Sequence, residues 1–220
     1  MYVETMTLGD ITKEIMKDKT YLLSKIVYVT GDTKYRKLCM KLSEKKLHFF
    51  KRVDFTSKQT RLDYHLIPFT FGKRDYLKNS LGFLIFATFR KGNQLWACFL
   101  CDYISTTIFF TPHFFDRYEE REDKDAEGRL SLMTDFFSRN RVFNHSDYTH
   151  PNHPNSLFWT MEEGVGLGTE LEDHSMMVTT YVRNDMLFDE QANIKSEKID
   201  RVIDAYQSFA KGADYSFNAA

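Results

Sequence analysis

Three apolar runs, parted by gaps too short for anything but a tight turn, constrain this chain more than any other feature. Leu81–Phe89, Gln94–Cys101 and Ile104–Phe110 are rich in Phe, Ile, Leu, Trp and Thr, with only Arg90-Lys91-Gly92-Asn93 and Asp102-Tyr103 between them. A parallel return needs roughly a dozen residues, so these gaps predict an antiparallel meander. A second set follows at Leu157–Met161, Gly164–Leu171 and Ser175–Arg183, turning at Glu162-Glu163 and Glu172-Asp173.

Helices are expected around the two sets. Thr111 is a good N-cap, and Pro112 at the first helical position loses no needed hydrogen bond. A second short helix is expected over Leu130–Arg139, then a polar loop, Asn144–Ser156. Near the start, Leu8, Ile11, Ile15, Leu22 and Ile26 form an apolar stripe after Thr7, and Gly31-Asp32 reads as a stop and a new cap. Tyr35, Leu38, Cys39, Leu42, Phe49 and Phe50 then recur at helical spacing among lysines and arginines. A last helix is expected from Lys195 to Ala210. Strands in runs, not alternating with helices, give an α+β fold class with a mostly antiparallel sheet. The expectation is a single α+β domain of two meanders joined through the helix of His113, with N- and C-terminal helices packed on one face. Within it, 1–56 is a helical part and 57–220 the sheet-containing core. Phe, Tyr and Trp supply 34 of 220 residues against 10 Gly and 4 Pro, enough for a large core with few tight turns.

The longest apolar runs are about half the roughly 20 residues that span a bilayer. The first residues lack a basic stretch followed by an apolar one, so a cytoplasmic protein with no membrane partner is expected. Cys98 and Cys101 spell C-x-x-C, but an offset of three within a strand turns them to opposite faces, as buried thiols. Net charge is −1, yet Thr33–Arg74 holds 12 basic and three acidic side chains, while nine carboxylates from Asp147 to Glu190 face only Arg183. Either the opposite fields dock parts of one molecule on each other, or the basic part is a face for phosphate backbones, with Lys41, Lys45, Lys46, Lys51 and Arg52 as contacts.

The segment Thr111–Arg121, TPHFFDRYEER, holds the densest chemistry. At about 100° per residue, Arg117 falls about 40° from His113 and Glu120 about 20° on its other side, opposite an aromatic face. His and Arg at a helix start could serve as acid or base with an anion clamp; they could equally be a solvated face with ion pairs. The spacing His113-x3-Arg117-x3-Arg121 after a strand and Thr-Pro, then a helix, a hairpin and the strand Val178-Thr179-Thr180-Tyr181-Val182, resembles the small RelE- and BrnT-like toxin ribonucleases over residues 104–185. That resemblance implies RNA as substrate, no metal or other cofactor, attack by the 2′-hydroxyl on the adjacent phosphate, and His113, Arg117, Arg121, Thr179 and Tyr181 as catalytic candidates. Alternation along the closing strand puts Tyr181 and Arg183 on one face with Met177 and Thr179. RNA would need the basic segment to fold over the acidic hairpin, which repels phosphate.

Two other patterns were weighed. His145, Asp147, His150 and His153 fall in one loop and could ligate zinc, nickel or iron, though their spacing equally suits a solvated turn. Gly164-x-Gly166-x-Gly168 has no helix after it, so it signals close backbone or aromatic approach in a strand, not a nucleotide loop. The competing functional expectation is a non-catalytic binding module for a nucleic acid or a protein, of the sort found in mobile elements, with the His113 helix structural.

Overall fold

The computed structural model describes residues 1–43, 46–101, 106–140, 144–147, 156–188, 192–193 and 195, with 144–147 as backbone. The first half contributes β1 (His48–Phe49), β2 (Val53–Thr56), β3 (Asp63–Thr70), β4 (Gly82–Lys91), β5 (Gln94–Cys101) and β6 (Thr106–Phe110). The second contributes β7 (Asn144–Asp147), β8 (Ser156–Thr160), β9 (Gly164–Glu170) and β10 (Met176–Arg183). All lie in one sheet of order β1-β3-β4-β5-β6-β10-β9-β8-β7, with β2 also on β3. Every pairing is antiparallel except β6 with β10, where the two meanders meet side by side. The fold is therefore α+β with a mostly antiparallel sheet. No helix among the described residues is long and apolar enough to cross a membrane.

Helices cover both faces of this sheet, not one. On one face, α1 (Leu8–Lys17) and α2 (Lys19–Thr30) set Ile11, Ile15 and Leu22 against Tyr64, Leu66, Ile85, Cys98 and Phe109. Thr7 and Asp10 close a reciprocal capping box at the head of α1. Buried Asp18, between α1 and α2, accepts hydrogen bonds from Ser57 (2.7 Å), Tyr64 (2.9 Å) and Thr60, which ties the helix pair to the sheet. On the other face, α5 (Pro112–Arg121) and α6 (Arg129–Arg139) set Phe114, Phe115, Tyr118, Phe136 and Phe137 against Phe86, Phe99, Phe110 and Tyr181. Phe110 lies at the centre, with ring centroids 5.0–6.0 Å from Phe114, Phe115, Phe136 and Phe137. Gly128 gives α6 no side-chain cap, so this aromatic layer, at roughly 1.5–3 kcal/mol per buried ring, holds α6 in place. The expected last helix, Lys195–Ala210, lies outside the described residues except for Lys195.

The helical spacing from Tyr35 to Phe50 does not make one helix. The helix here is α3 (Thr33–Cys39), and Phe49 is in edge strand β1. The apolar contact behind the pattern is real: Phe50 meets Tyr35 edge-on at 5.3 Å, but across a turn. Tyr35 and Cys39 face inward to Val29 and Leu81 in a small third cluster. A seven-residue helix, α4 (Lys73–Asn79), lies between β3 and β4. The two cysteines divide as their offset predicts: Cys98 is in the α1–α2 core and Cys101 borders the α5–α6 core.

Candidate functional site: two charged ends of one sheet

Helix α5 leaves the junction of β6 and β10, and its start is built into that junction. Thr111 caps α5 by accepting from the Phe114 N–H (3.2 Å) and donates its own hydroxyl to the Thr179 carbonyl (3.1 Å). Thr179 is free to accept because β10 bulges there: Val178 pairs with Gly168 and Thr180 with Leu167, so Thr179 is skipped. The bulge also corrects the expected alternation. Val178 and Tyr181, three apart, both face the α5–α6 core, while Met177 borders the other core. Tyr181 and Arg183 both reach the end of α5, but Met177 is not on their face.

The residues implicated by the ribonuclease likeness are thus scattered in role. His113 is exposed in the first turn of α5, where Pro112 has no N–H and the Phe114 N–H is already given to Thr111, so the turn offers little to a phosphate. Arg117 pairs with Glu120 at 2.6 Å. Arg121 donates to the Tyr181 carbonyl, and Arg183 donates to the Arg121 carbonyl at 3.1 Å, so both fasten α5 to β10. The Thr179 hydroxyl donates to the Leu167 carbonyl at 3.1 Å. Tyr181 is fully buried, packed on Phe114 and Tyr118, and its hydroxyl donates to Glu122 at 2.7 Å. Burial and the Glu122 carboxylate both push its pKa far up, which keeps it protonated. Tyr118 is held likewise by burial and by Glu163 at 2.7 Å. The result is a carboxylate-rich end, with Glu119, Glu120, Glu122, Glu162 and Glu163 around α5 and the β8–β9 turn.

The basic segment is at the opposite edge. Residues 33–74 form α3, β1, β2 and β3, which lie across the whole sheet from β8 and β9. It does not fold over the acidic hairpin. Arg52 is used internally: its guanidinium grips Asp54 in two bonds of 2.7 and 3.1 Å and reaches Thr134 on α6. Lys41, Lys46 and Lys51 are exposed and join no ion pair among the described residues, nor do Arg36, Lys37, Lys58 and Arg61. Lys45 lies outside the described residues. Beside these cations, Val27 (70% exposed), Tyr28 (72%) and Leu38 (49%) put apolar side chains into water.

A third arrangement went unnoticed in the sequence. His65 Nδ1 is 2.8 Å from Asp54 and its Nε2 is 2.9 Å from the Thr88 hydroxyl, a carboxylate–imidazole–hydroxyl chain across three neighbouring strands. Burial lowers the His65 pKa, against the pull of Asp54. Burial works to raise Asp54, but bonds from Arg52 and His65 outweigh it and hold the carboxyl low. His65 and Thr88 are 4% and 5% exposed, and the imidazole packs tilted against Phe86, ring centroids 4.7 Å apart, so a substrate has no approach. The chain satisfies a polar group inside the sheet. No spacing could reveal it, because the three residues meet only through strand register.

Among the described residues, no three of His, Cys, Asp and Glu gather to hold a metal ion. His145 and Asp147 sit in β7, opposite Trp159 and Leu157; His150 and His153 lie outside the described residues. Compared with protein-family models, curated proteins and solved structures, the chain matches none.

Proposed function

We propose that this protein is a non-catalytic binding module that engages an acidic macromolecule through the basic edge formed by residues 33–74. One observation carries the reading: Lys41, Lys46, Lys51, Lys58 and Arg61 are exposed and join no ion pair among the described residues, and they share that edge with exposed Leu38, while carboxylates gather around the β8–β9 turn across the sheet. Cations without internal partners keep a long-range field for an anionic partner, and exposed apolar side chains give that partner something to bury. The acidic end repels the same partner and so orients it.

The test is binding to heparin as a generic polyanion, followed by anisotropy or calorimetry from about 50 to 200 mM salt. Wild type should bind at low salt and weaken steeply as salt rises. The triple variant Lys41→Glu/Lys46→Glu/Lys51→Glu should lose binding while its melting temperature stays within about 2 °C, because exposed substitutions change stability little. No binding at about 50 mM salt refutes the reading.

A ribonuclease working from His113 and Arg117 is the second reading, favoured by exposed His113 and half-buried Arg117 sharing one stripe of α5. If it holds, purified protein cleaves RNA in the presence of a chelator, and His113→Ala lowers the rate by about 10²- to 10⁴-fold. The bonded states of Arg121, Thr179 and Tyr181 and the carboxylates beside α5 support it less than the open basic edge supports binding.

A further inference from the structure

A hollow at the basic edge narrows the partner. Between α3 and the strands that follow it lies an open-sided cleft of about 370 Å³, lined by Lys34, Tyr35, Leu38, Phe50, Lys51, Arg52 and Val53. Tyr35, 4% exposed, and Phe50 lock edge-on at 5.3 Å, so the apolar floor is already formed before anything binds. At about 100° per residue along α3, Leu38 stands about 40° from Lys34 on the open side, while Tyr35 and Cys39 turn inward. Leu38 is therefore an apolar wall with a cation beside it, 49% exposed.

The rim is positive, but not uniformly so. Arg52 is neutralised by Asp54, and Lys34 shares its charge with half-buried Asp32 at 3.1 Å. Lys51 has no ion pair among the described residues. Tyr28, 72% exposed near the end of α2, adds apolar surface on the element that precedes α3. Volume decides between ligand sizes: the cleft is at the small end of the roughly 300–1,000 Å³ of small-molecule sites and is open at one side, room for an anchoring side chain or two. Chemistry decides between macromolecules. A sugar–phosphate backbone gains nothing from Leu38, Phe50 and Val53, whereas a polypeptide buries Leu, Ile or Phe on them and sets Asp or Glu on the lysines.

We propose that the cleft between α3 and the β1–β2 segment binds an acidic peptide segment, anchored by one aliphatic or aromatic side chain on Tyr35, Leu38, Phe50 and Val53 with flanking carboxylates on Lys34 and Lys51. This rests on the binding-module reading and specifies its partner. Arg52 contributes its carbon stem, its charge being engaged elsewhere.

The experiment is selection of a random 12-residue phage-displayed peptide library on the intact protein, followed by anisotropy with the enriched peptides made synthetically. A single-stranded RNA of 20 nucleotides runs alongside. The expected result is enrichment of peptides with several Asp or Glu around one Leu, Ile, Phe or Trp. Replacing that anchor by Ser should weaken binding at least about 10-fold, the scale of burying one such side chain. Leu38→Ser and Lys34→Glu/Lys51→Glu should each weaken it comparably, and Lys58→Glu/Arg61→Glu, away from the cleft, should matter much less. Peptides that lack carboxylates, or that bind the cleft variants as tightly as wild type, overturn the cleft proposal while heparin binding keeps the module reading. Tight RNA binding lost in Lys34→Glu/Lys51→Glu, with no peptide enriched, replaces the peptide by a nucleic acid. If heparin, peptides and RNA all fail to bind, both proposals fall.

Discussion

Removing one oxygen from Tyr181 separates its structural role from a catalytic one. In Tyr181→Phe the ring keeps its place, 5.8 Å from Phe114 and 5.1 Å from Tyr118, and only the 2.7 Å bond to Glu122 is lost. A hydrogen bond to a charged group is worth roughly 1.5–3 kcal/mol. Glu122 is partly exposed and can take a water in exchange, so the lower end, about 1.5 kcal/mol, applies. For a chain of this length each kcal/mol moves the melting temperature by about 2–4 °C, which gives a fall of about 3–6 °C. Urea denaturation at pH 7 reads the free energy, and calorimetry the midpoint. A double-mutant cycle with Glu122→Gln should then return a coupling of about 1 kcal/mol, which identifies the bond rather than a general loosening. If Tyr181→Phe melts with wild type, within about 0.5 kcal/mol, the hydroxyl is not a structural donor and Tyr181 returns to the catalytic candidates.

Two further outcomes test the packing and the electrostatics. Gly166→Ala puts a Cβ 2.5 Å from the Met161 methyl and 2.6 Å from Val178 Cγ1, an overpacking of about 1–3 kcal/mol in urea melts. Gly168→Ala meets the Met177 carbonyl oxygen at 2.0 Å, where backbone must move, so it should cost more than Gly166→Ala; the reverse order would mean that the β10 bulge is not where it is described. His65, whose pKa is lowered in the folded protein, takes up its proton more readily unfolded, near pH 6.5. Its stabilising contribution is complete above that pH and is lost as pH falls toward the folded value, so the melting temperature should drop as pH falls below about 6.5. His65→Gln, which does not titrate, should flatten that drop; an equally steep drop in the variant would assign it to other groups.

How much of this was legible depended on whether the deciding contact lies within an element or between elements. The turn at Glu162–Glu163, the Thr111 cap and the glycine strand are local signals, and each stands where the residues put it; the expected Arg90–Asn93 turn narrows to Gly92-Asn93, because Arg90 and Lys91 pair with Leu95 and Gln94. Gly164, Gly166 and Gly168 make room for the Tyr181 ring, Val178 and the bulged backbone, the close approach their alternation suggested. β3 gave no signal, because Asp63–Thr70 is buried on both faces, with Tyr64 and Leu66 toward α1 and α2 and Ile67 toward α6. Alternation exists only where one face is wet. Phe49 and Phe50 were misassigned to a helix for a related cause: their apolar spacing is satisfied by Tyr35 and Phe69 from other elements.

The candidate site illustrates the same division, with a sharper consequence. Sequence spacing can place His113 and Arg117 on one stripe, and it can count an excess of nine positive charges over residues 33–74. Whether either amounts to a site depends on the chain's route through the sheet. That route sends β3 and β10 to opposite sides of the β4–β6 block, so the cations and the carboxylates end far apart instead of cancelling. It also brings the Thr179 carbonyl to the head of α5, where it accepts from the Thr111 hydroxyl and so holds Thr111 in place as the cap that takes the Phe114 N–H. One topological choice, the parallel meeting of β6 and β10, therefore both ties down the start of α5 and keeps the basic edge away from the carboxylates of the β8–β9 turn.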